Sequence, residues 1–322
     1  MAGRAFLGCL GLGLLAWSML GLAACKGKSK PDPVTVGSVS LPAPIASSLP
    51  IDPKIVSAAV NAKGEAPYTG PTGTISGVVT VSGDSSPDIP EAIASIPADC
   101  ASAKDVYGKL FREGAGRGLA DVVVGVTGYS GYVPEEIPAQ LADANGCAWN
   151  ARTYVLTFGQ SLDVRSRDSR PYVPDLLGAK LKAQLVALPR GDAIHLYPEQ
   201  PGRFQLTDSM RLFMLADVLV VKFPTHAVTG LDGRYVIPRV PVGKVKVSAL
   251  LPATMVQIEK EVEVHAGELV DVPLTLAFDR KAWDARRGGT PVIFPSHGLN
   301  ALDDQDWVDA HATPVRQSEA LG

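Results

Sequence analysis

The sequence predicts an all-β protein of the sandwich type. Short segments rich in β-branched residues recur along the chain and are separated by turn residues, which is the pattern of a sandwich. The 322 residues include 32 Gly and 26 Pro, so turns are plentiful. Helical periodicity is scarce after the first 24 residues, and the short helix candidates are Glu91–Ser95 and Pro138–Ala144.

The composition excludes a nucleic-acid-binding protein that relies on bulk positive charge. The chain has 30 Lys and Arg against 33 Asp and Glu, which gives a net charge of −3. Hydrophobic residues make up 46% of the chain, enough to build a core. The length suits one large domain or two small ones.

The first 24 residues form a targeting signal. A single charge, Arg4, precedes an apolar stretch, and Leu22-Ala-Ala-Cys25 follows it. A basic start, an apolar stretch and small residues before a cleavage point are typical of a secretory signal. A single membrane-spanning anchor is the alternative, because the stretch is nearly long enough to cross a bilayer.

Leu22-Ala-Ala-Cys25 resembles the lipobox of bacterial lipoproteins. The resemblance implies that Cys25 becomes the mature N-terminus and carries diacylglycerol and an amide-linked acyl chain, such as palmitate. Several acyl chains hold a protein durably on a membrane. Residue 26 is Lys rather than Asp, which in this family favours the outer membrane of the cell envelope. Residues 25–72 show no lasting apolar pattern, so we expect a flexible tether.

Two cysteines remain after Cys9 is removed with the signal and Cys25 is used for lipid attachment. They are Cys100 and Cys147, an even pair in an oxidising compartment. We therefore expect a disulfide between them.

Ten segments are predicted as strands because they are rich in β-branched residues or alternate between apolar and polar residues. They are 74–82, 121–127, 153–158, 162–165, 203–206, 217–222, 235–237, 244–249, 257–264 and 270–276. Gly159-Gln160 separates two of them and predicts a hairpin turn there.

Residues 223–280 carry a motif that identifies a type of module. Ala227-Val-Thr229 leads into Asp232-Gly233, Tyr235 and then Pro241-Val-Gly243. This order resembles T-x-x-D-G-x-F/Y-x-I-x-x-V/L-P-x-G-x-Y-x-V of the carboxypeptidase regulatory-like domain, with Val245 in place of the second aromatic residue. The resemblance implies a small prealbumin-like β-sandwich with a carbohydrate-binding-like fold.

Residues 73–222 resemble secreted plastocyanin-like proteins of the cupredoxin class, also called methylamine-utilisation-like. The matches include Gly118-Leu-Ala-Asp-Val-Val-Val124, where the family has Asn in place of Asp121, and Gly159-Gln-Ser-Leu-Asp-Val164. The resemblance implies a Greek-key cupredoxin-like sandwich ahead of the regulatory-like domain.

The copper ligands of that family are not retained. Tyr172 stands at the first His position, Asp208 at the Cys and Arg211 at the second His, and only Met214 matches. A blue-copper site needs two imidazoles and a thiolate, with Met as a weak axial ligand. The resemblance therefore implies a scaffold without metal or another cofactor. We expect the four residues to lie together at one pole, with Tyr172 partly buried and Asp208 neutralised by Arg211 or another cation.

Other sequence features give little chemistry. None of the five histidines pairs with another at metal-ligand spacing, and a surface imidazole is expected at His226. Residues 281–322 lose the strand pattern and place four Asp residues around Trp307. We expect a low-order acidic tail that docks a partner or the protein's own domain through Trp307.

Two functions remain open from the sequence. The first is a non-catalytic, lipid-anchored envelope protein that presents a β-sandwich surface to a protein or a glycan. The alternative is a periplasmic copper or redox electron-transfer protein with an unrecognised metal site. The membrane and an envelope partner are the expected contacts, and nucleic acid is not.

Overall fold

The computed structural model describes residues 50–179 and 184–286. The signal, Cys25, the first half of the expected tether and Trp307 lie outside these ranges. Within them, no helix is both long enough and apolar enough to cross a membrane. The prediction of an all-β sandwich protein is confirmed, because strands dominate the described chain.

The strands are numbered along the chain. They are β1 (Thr72–Gly83), β2 (Val123–Thr127), β3 (Ala139–Asn145), β4 (Ala148–Trp149), β5 (Thr153–Thr157), β6 (Ser161–Ser166), β7 (Pro174–Leu177), β8 (Ile194–Leu196), β9 (Gly202–Asp208), β10 (Arg211–Val221), β11 (His226–Val228), β12 (Arg234–Pro241), β13 (Gly243–Leu251), β14 (Val256–Val264), β15 (Leu269–Asp271) and β16 (Leu274–Phe278). The helices are α1 (Pro53–Val60), α2 (Pro90–Ser95), α3 (Ala103–Tyr107) and α4 (Arg280–Arg286).

The first sandwich contains β3 to β10. One sheet has the order β4-β3-β6-β8 and the other has the order β5-β10-β9-β7. Alternating side chains of both sheets fill a shared core in which Trp149, Tyr172 and Met214 are among the largest fully buried residues. Residues 159–160 do not form the predicted hairpin turn, because β5 and β6 belong to different sheets and pair with different strands.

The second sandwich is not confined to residues 223–280. One sheet places β1 between β12 on one side and β15 and β16 on the other, and the second sheet has the order β11-β2-β13-β14. The strands β1 and β2 were both expected in the domain at 73–222. That boundary needs correction, because β1 and β2 pair with strands of the second sandwich. The sequence of a strand predicts which of its faces is buried, but it does not predict which strand lies beside it.

Within this second sandwich, the motif that suggested a regulatory-like module has the expected alternation. Tyr235 and Ile237 point into the core, and Tyr235 donates its hydroxyl proton to the carbonyl of Val272 at 2.6 Å. Thr229 holds the start of β2, since its hydroxyl donates to the carbonyl of Leu119 at 2.6 Å and accepts from the amide of Val122 at 3.1 Å.

The two sandwiches share a small apolar cluster. Val155 and Leu219 of the first sandwich pack there with Val123 and Leu250 of the second, and with Phe223. Asp121 lies beside this cluster with a φ of 65°, in the left-handed region where Asp and Asn are the favoured residues after Gly.

Two short helix predictions have opposite outcomes. The candidate at Glu91–Ser95 is confirmed as α2. The candidate at Pro138–Ala144 is wrong, because residues 139–145 form β3, which runs parallel to β6 and antiparallel to β4. Ala, Gln and Leu favour a helix locally, but the ladder to β6 overrides that preference.

Both ends of the described chain carry structure that the sequence did not predict. The helix α1 lies within the expected tether, where Asp52 caps it by accepting from the amide of Lys54 and Pro53 opens it. The helix α4 lies at the start of the expected tail, and its Trp283 is buried against Phe278. Val56 of α1 packs against the core of the first sandwich, and Trp283 of α4 belongs to the core of the second. These contacts hold the two helices in place.

Candidate functional site

The residues at the expected copper-ligand positions meet around a tight turn. Asp208 ends β9 and Arg211 begins β10, and the two are directly opposite across the two-residue turn Ser209-Met210. An Arg211 Nη1 lies 3.4 Å from an Asp208 carboxylate oxygen. The expectation that Asp208 lies close to Arg211 is confirmed.

Asp208 is fully buried and its carboxylate is occupied by donors of this chain. Oδ2 accepts from the amide of Val173 at 2.6 Å, and Oδ1 accepts from the amide of Met210 at 3.0 Å as well as from Arg211. The carboxylate therefore fixes the turn to the neighbouring segment at residue 173. A buried charge is tolerated when it is paired and hydrogen-bonded in this way.

Tyr172 is completely buried, so the expectation of partial burial is wrong. Its ring packs against Trp149 with centroids 6.1 Å apart, and the Arg211 guanidinium carbon lies 4.9 Å from its centroid. That placement is a cation–π contact. The hydroxyl accepts from the amide of Cys147 at 3.1 Å and donates to Asp168 Oδ2 at 2.8 Å.

Burial and these partners set the ionisation of the two acidic groups. Desolvation is the main cause that raises the pKa of Tyr172 to about 12. For Asp168, burial opposes ionisation, but hydrogen bonds from the amides of Arg170 and Gly146 and from Tyr172 outweigh it and lower the pKa. At neutral pH the pair is therefore a phenol that donates to a carboxylate.

The predicted disulfide between Cys100 and Cys147 is confirmed, with Cα atoms 5.5 Å apart. The Tyr172 hydroxyl holds the amide of Cys147, so the disulfide and the Tyr172 network share one corner. Neither sulfur is available as a thiolate ligand while the disulfide is present.

Met214, the matching residue, is fully buried on β10. Trp149 links it to the rest, since the indole Nε1 donates to the Met214 carbonyl at 3.2 Å while the ring packs on Tyr172. A series of contacts thus links the four positions: Asp208 contacts Arg211, Arg211 lies on Tyr172, and Trp149 joins Tyr172 to Met214. We name Trp149, Asp168, Tyr172, Asp208, Arg211 and Met214 the Tyr172 cluster.

The chemistry of the Tyr172 cluster is that of a structural polar network. It offers two carboxylates, a guanidinium and a phenol, all bonded to one another or to backbone groups, and a thioether in the core. It contains no imidazole or thiolate. Across residues 50–179 and 184–286, no group of three or more His, Cys, Asp and Glu is placed to hold a metal ion.

Sequence reasoning missed Trp149, which connects the cluster. The signal was its place two residues after Cys147, shortly before the strand predicted at 153–158, where a large buried ring fits a sandwich core. It also treated His226 as a surface residue, whereas the side chain is half-buried and its Nε2 lies 3.0 Å from Thr157 Oγ1. Burial lowers the pKa of His226 to about 4.

Comparison with known proteins gives only distant likenesses. No protein-family model and no curated protein matches the chain. Among solved structures, amicyanin from Paracoccus versutus is 12% identical with a TM-score of 0.22, over 27% of this chain and 84% of its own. An oxidized amicyanin mutant is 17% identical with a TM-score of 0.23, over 26% and 81%. A reduced amicyanin mutant is 16% identical with a TM-score of 0.22, over 30% and 98%.

Proposed function

We propose that this chain is a non-catalytic, lipid-anchored protein of the bacterial cell envelope, held at the outer membrane through Cys25. Its first sandwich is cupredoxin-like, with the metal site replaced by the Tyr172 cluster, and its second is related to the carboxypeptidase regulatory-like domain. It works by presenting a binding surface rather than by electron transfer or catalysis.

The main support for the proposal is that the polar groups of the Tyr172 cluster are already hydrogen-bonded within the protein. Asp208 is bonded to the turn and to Arg211, and the Tyr172 hydroxyl bridges Cys147 and Asp168. A copper ion needs soft or imidazole donors with free electron pairs. Replacing the ligands in this way stabilises the fold at the same position and leaves no donor set for copper.

The turn above the cluster supports an interaction role. Met210 and Leu212 flank Arg211 and are 62% and 65% exposed. Large apolar side chains held in water by a rigid hairpin favour a protein partner over a glycan, because they offer no hydrogen bonds to sugar hydroxyls. The lipid would fix the protein near such a partner at the membrane.

Copper loading tests the proposed loss of the metal site. The mature chain is purified from an oxidising compartment, and its metal content is measured before and after incubation with Cu(II). We expect no stoichiometric copper and no strong visible absorption. A blue or violet band with one copper per chain would support the electron-transfer alternative instead.

Site-specific photo-crosslinking tests the surface. A photoreactive residue at position 210 should capture a discrete envelope protein, and Leu212→Asp should abolish the adduct. Val236, which is also exposed but lies on the second sandwich, provides the matched control position. Equal capture from positions 210 and 236 would contradict the assignment of the surface to this turn.

A further inference from the structure

A cavity of about 400 Å³ lies in the first sandwich, beneath α1 and away from the Tyr172 cluster. Its walls come from α1, from residues 132–138, from residues 157–160 and from Lys222. We call it the α1 pocket. Its volume is at the small end of the 300–1,000 Å³ range that is usual for ligand sites.

The helix α1 is held over this pocket by a close contact. Gly159 has a φ of +105°, and a Cβ at this position would lie 2.7 Å from Val56 Cγ1. Only glycine therefore lets α1 approach so closely. No residue of α1 is fully buried, although Val56 and Val60 pack against the core cluster. Val56 and Val60, which hold the helix against the core, are also residues of the pocket wall.

The side walls of the pocket are mainly apolar. Ile51, Val56, Val60, Ile137 and Phe158 face it. Ile137 is 54% exposed, which is a large apolar surface left in water at the rim. A ligand with an apolar body would cover that surface.

Two polar side chains that line the pocket, Glu135 and Gln160, already have hydrogen-bond partners in this chain. Glu135 accepts from its neighbours' amides at 136 and 137, each at 2.9 Å, and from Thr157 Oγ1 at 2.6 Å. Gln160 donates to the carbonyl of Ile137 and accepts from the amide of Thr157, both at 2.6 Å. These hydrogen bonds hold Glu135 and Gln160 in place in the pocket wall.

Lys222 is different. It lines the pocket, and within the part of the chain that the structure describes its ammonium group makes no hydrogen bond or ion pair. An unpaired cation beside apolar walls is complementary to a molecule that carries one anionic group on an apolar body.

We propose that the α1 pocket binds a small monocarboxylate with an aliphatic body, with the carboxylate on Lys222 and the chain against Ile137, Val56 and Phe158. This inference does not depend on the proposed envelope function, because it concerns neither the lipid nor the Tyr172 cluster. Burial of each further methylene group strengthens binding about fourfold until the pocket is full.

Calorimetric titration of the full mature chain, with Cys25→Ser to keep it free of lipid, tests the proposal. The probes are hexanoate, octanoate and decanoate, with octanamide as the uncharged counterpart. We expect saturable binding that tightens with chain length. Lys222→Met should weaken octanoate binding roughly tenfold or more and leave octanamide unchanged. Lys260→Met on exposed β14 is the matched control and should change neither.

A second variant tests the same proposal in case Lys222→Met does not fold. Ile137→Glu places an anion at an exposed rim position and should abolish carboxylate binding while the circular dichroism spectrum stays native. The proposal is overturned if no carboxylate gives a binding heat. It is equally overturned if octanoate binds Lys222→Met and Ile137→Glu as tightly as the parent.

Discussion

Tyr172 donates its hydroxyl proton to the carboxylate of Asp168 at 2.8 Å. The same hydroxyl accepts from the amide of Cys147, which is one half of the disulfide. Tyr172 thus links a loop carboxylate to a covalent crosslink. The contribution of the Tyr172 hydroxyl to the free energy of unfolding can be measured directly.

Tyr172→Phe should lower the free energy of unfolding by about 1–3 kcal/mol. The variant keeps the ring on Trp149 but leaves the buried Cys147 amide without its acceptor, and an unsatisfied buried group costs that amount. Urea denaturation monitored by tryptophan fluorescence gives the value. Tyr132→Phe is the control, and a loss of the same size there would show that the Tyr172 hydroxyl is not special.

Cys100→Ser together with Cys147→Ser should destabilise the fold by up to about 4 kcal/mol. The disulfide spans a sequence separation of 47, and closing a loop of that length restricts the unfolded chain by this amount. Guanidinium denaturation of parent and variant under non-reducing conditions measures the difference. Two titratable thiols in the unreduced, denatured mature chain with Cys25→Ser would contradict the crosslink.

Asp121→Ala should cost about 3–5 kcal/mol, because it strips a buried ion pair of its anion. Asp121 accepts two bonds from Arg112, each of 2.6 Å, and one from the amide of Arg152 at 2.8 Å. Asp121→Asn should cost less, since Asn keeps an acceptor and tolerates the left-handed backbone. The exposed pair of Asp88 and Lys109 is the control, and Asp88→Ala should change stability by less than about 1 kcal/mol.

Stability should fall as the pH is lowered from about 6.5 towards 4, in part because of His226. Burial lowers its folded-state pKa to about 4, below the value of 6.5 for a free imidazole. Between these values the unfolded chain binds more protons than the folded chain, so acid favours unfolding. The contribution of His226 is complete above pH 6.5 and is lost as the pH falls towards 4.

Urea denaturation at several pH values between 7.5 and 4.5 measures the dependence, whose range follows from the two pKa values. His226→Gln should flatten it, whereas His265→Gln should not, because His265 is exposed. An unchanged pH slope in His226→Gln would show that the imidazole is solvated in the folded protein.

The existence of most strands could be predicted from sequence, but β3, β4, β7, β8 and β11 were not among the predicted segments, and no strand's pairing partners could be predicted. Alternation in β1 marks one buried face, and Ile75 and Val79 are indeed fully buried. The pattern says nothing about which sandwich supplies the opposite side, so β1 was assigned to the wrong one. At β3 the local preference for helix lost to the ladder with β6, which is a long-range interaction.

In the candidate site, too, the sequence predicted some features and not those that depend on long-range contacts. A motif comparison predicted that Tyr172, Asp208, Arg211 and Met214 belong together, because motif spacing reflects strand order. Full burial of Tyr172 was not predictable from its place between strands, since it depends on Trp149 and on the Cys147 corner. The pocket beneath α1 was also hidden, because its walls come from segments far apart in sequence.

A fragment of residues 223–286 should fail to fold, although its motif resembles an independent module. The strands β12, β15 and β16 pair only with β1 in the described sheets, and β11 pairs only with β2. Without β1 and β2 the fragment retains the β13–β14 hairpin alone. An isolated hairpin is marginally stable in water at best.

Residues 96–221 provide the contrasting fragment, because they carry every strand of the first sandwich and both cysteines of the disulfide. Amide proton spectra should show dispersed signals for 96–221 and collapsed signals for 223–286. Adding a peptide of residues 72–83 to the second fragment should not rescue it, since β2 would still be missing between β11 and β13. A dispersed spectrum from 223–286 alone would mean that its strands can close a core without β1 and β2, contrary to the pairing described above.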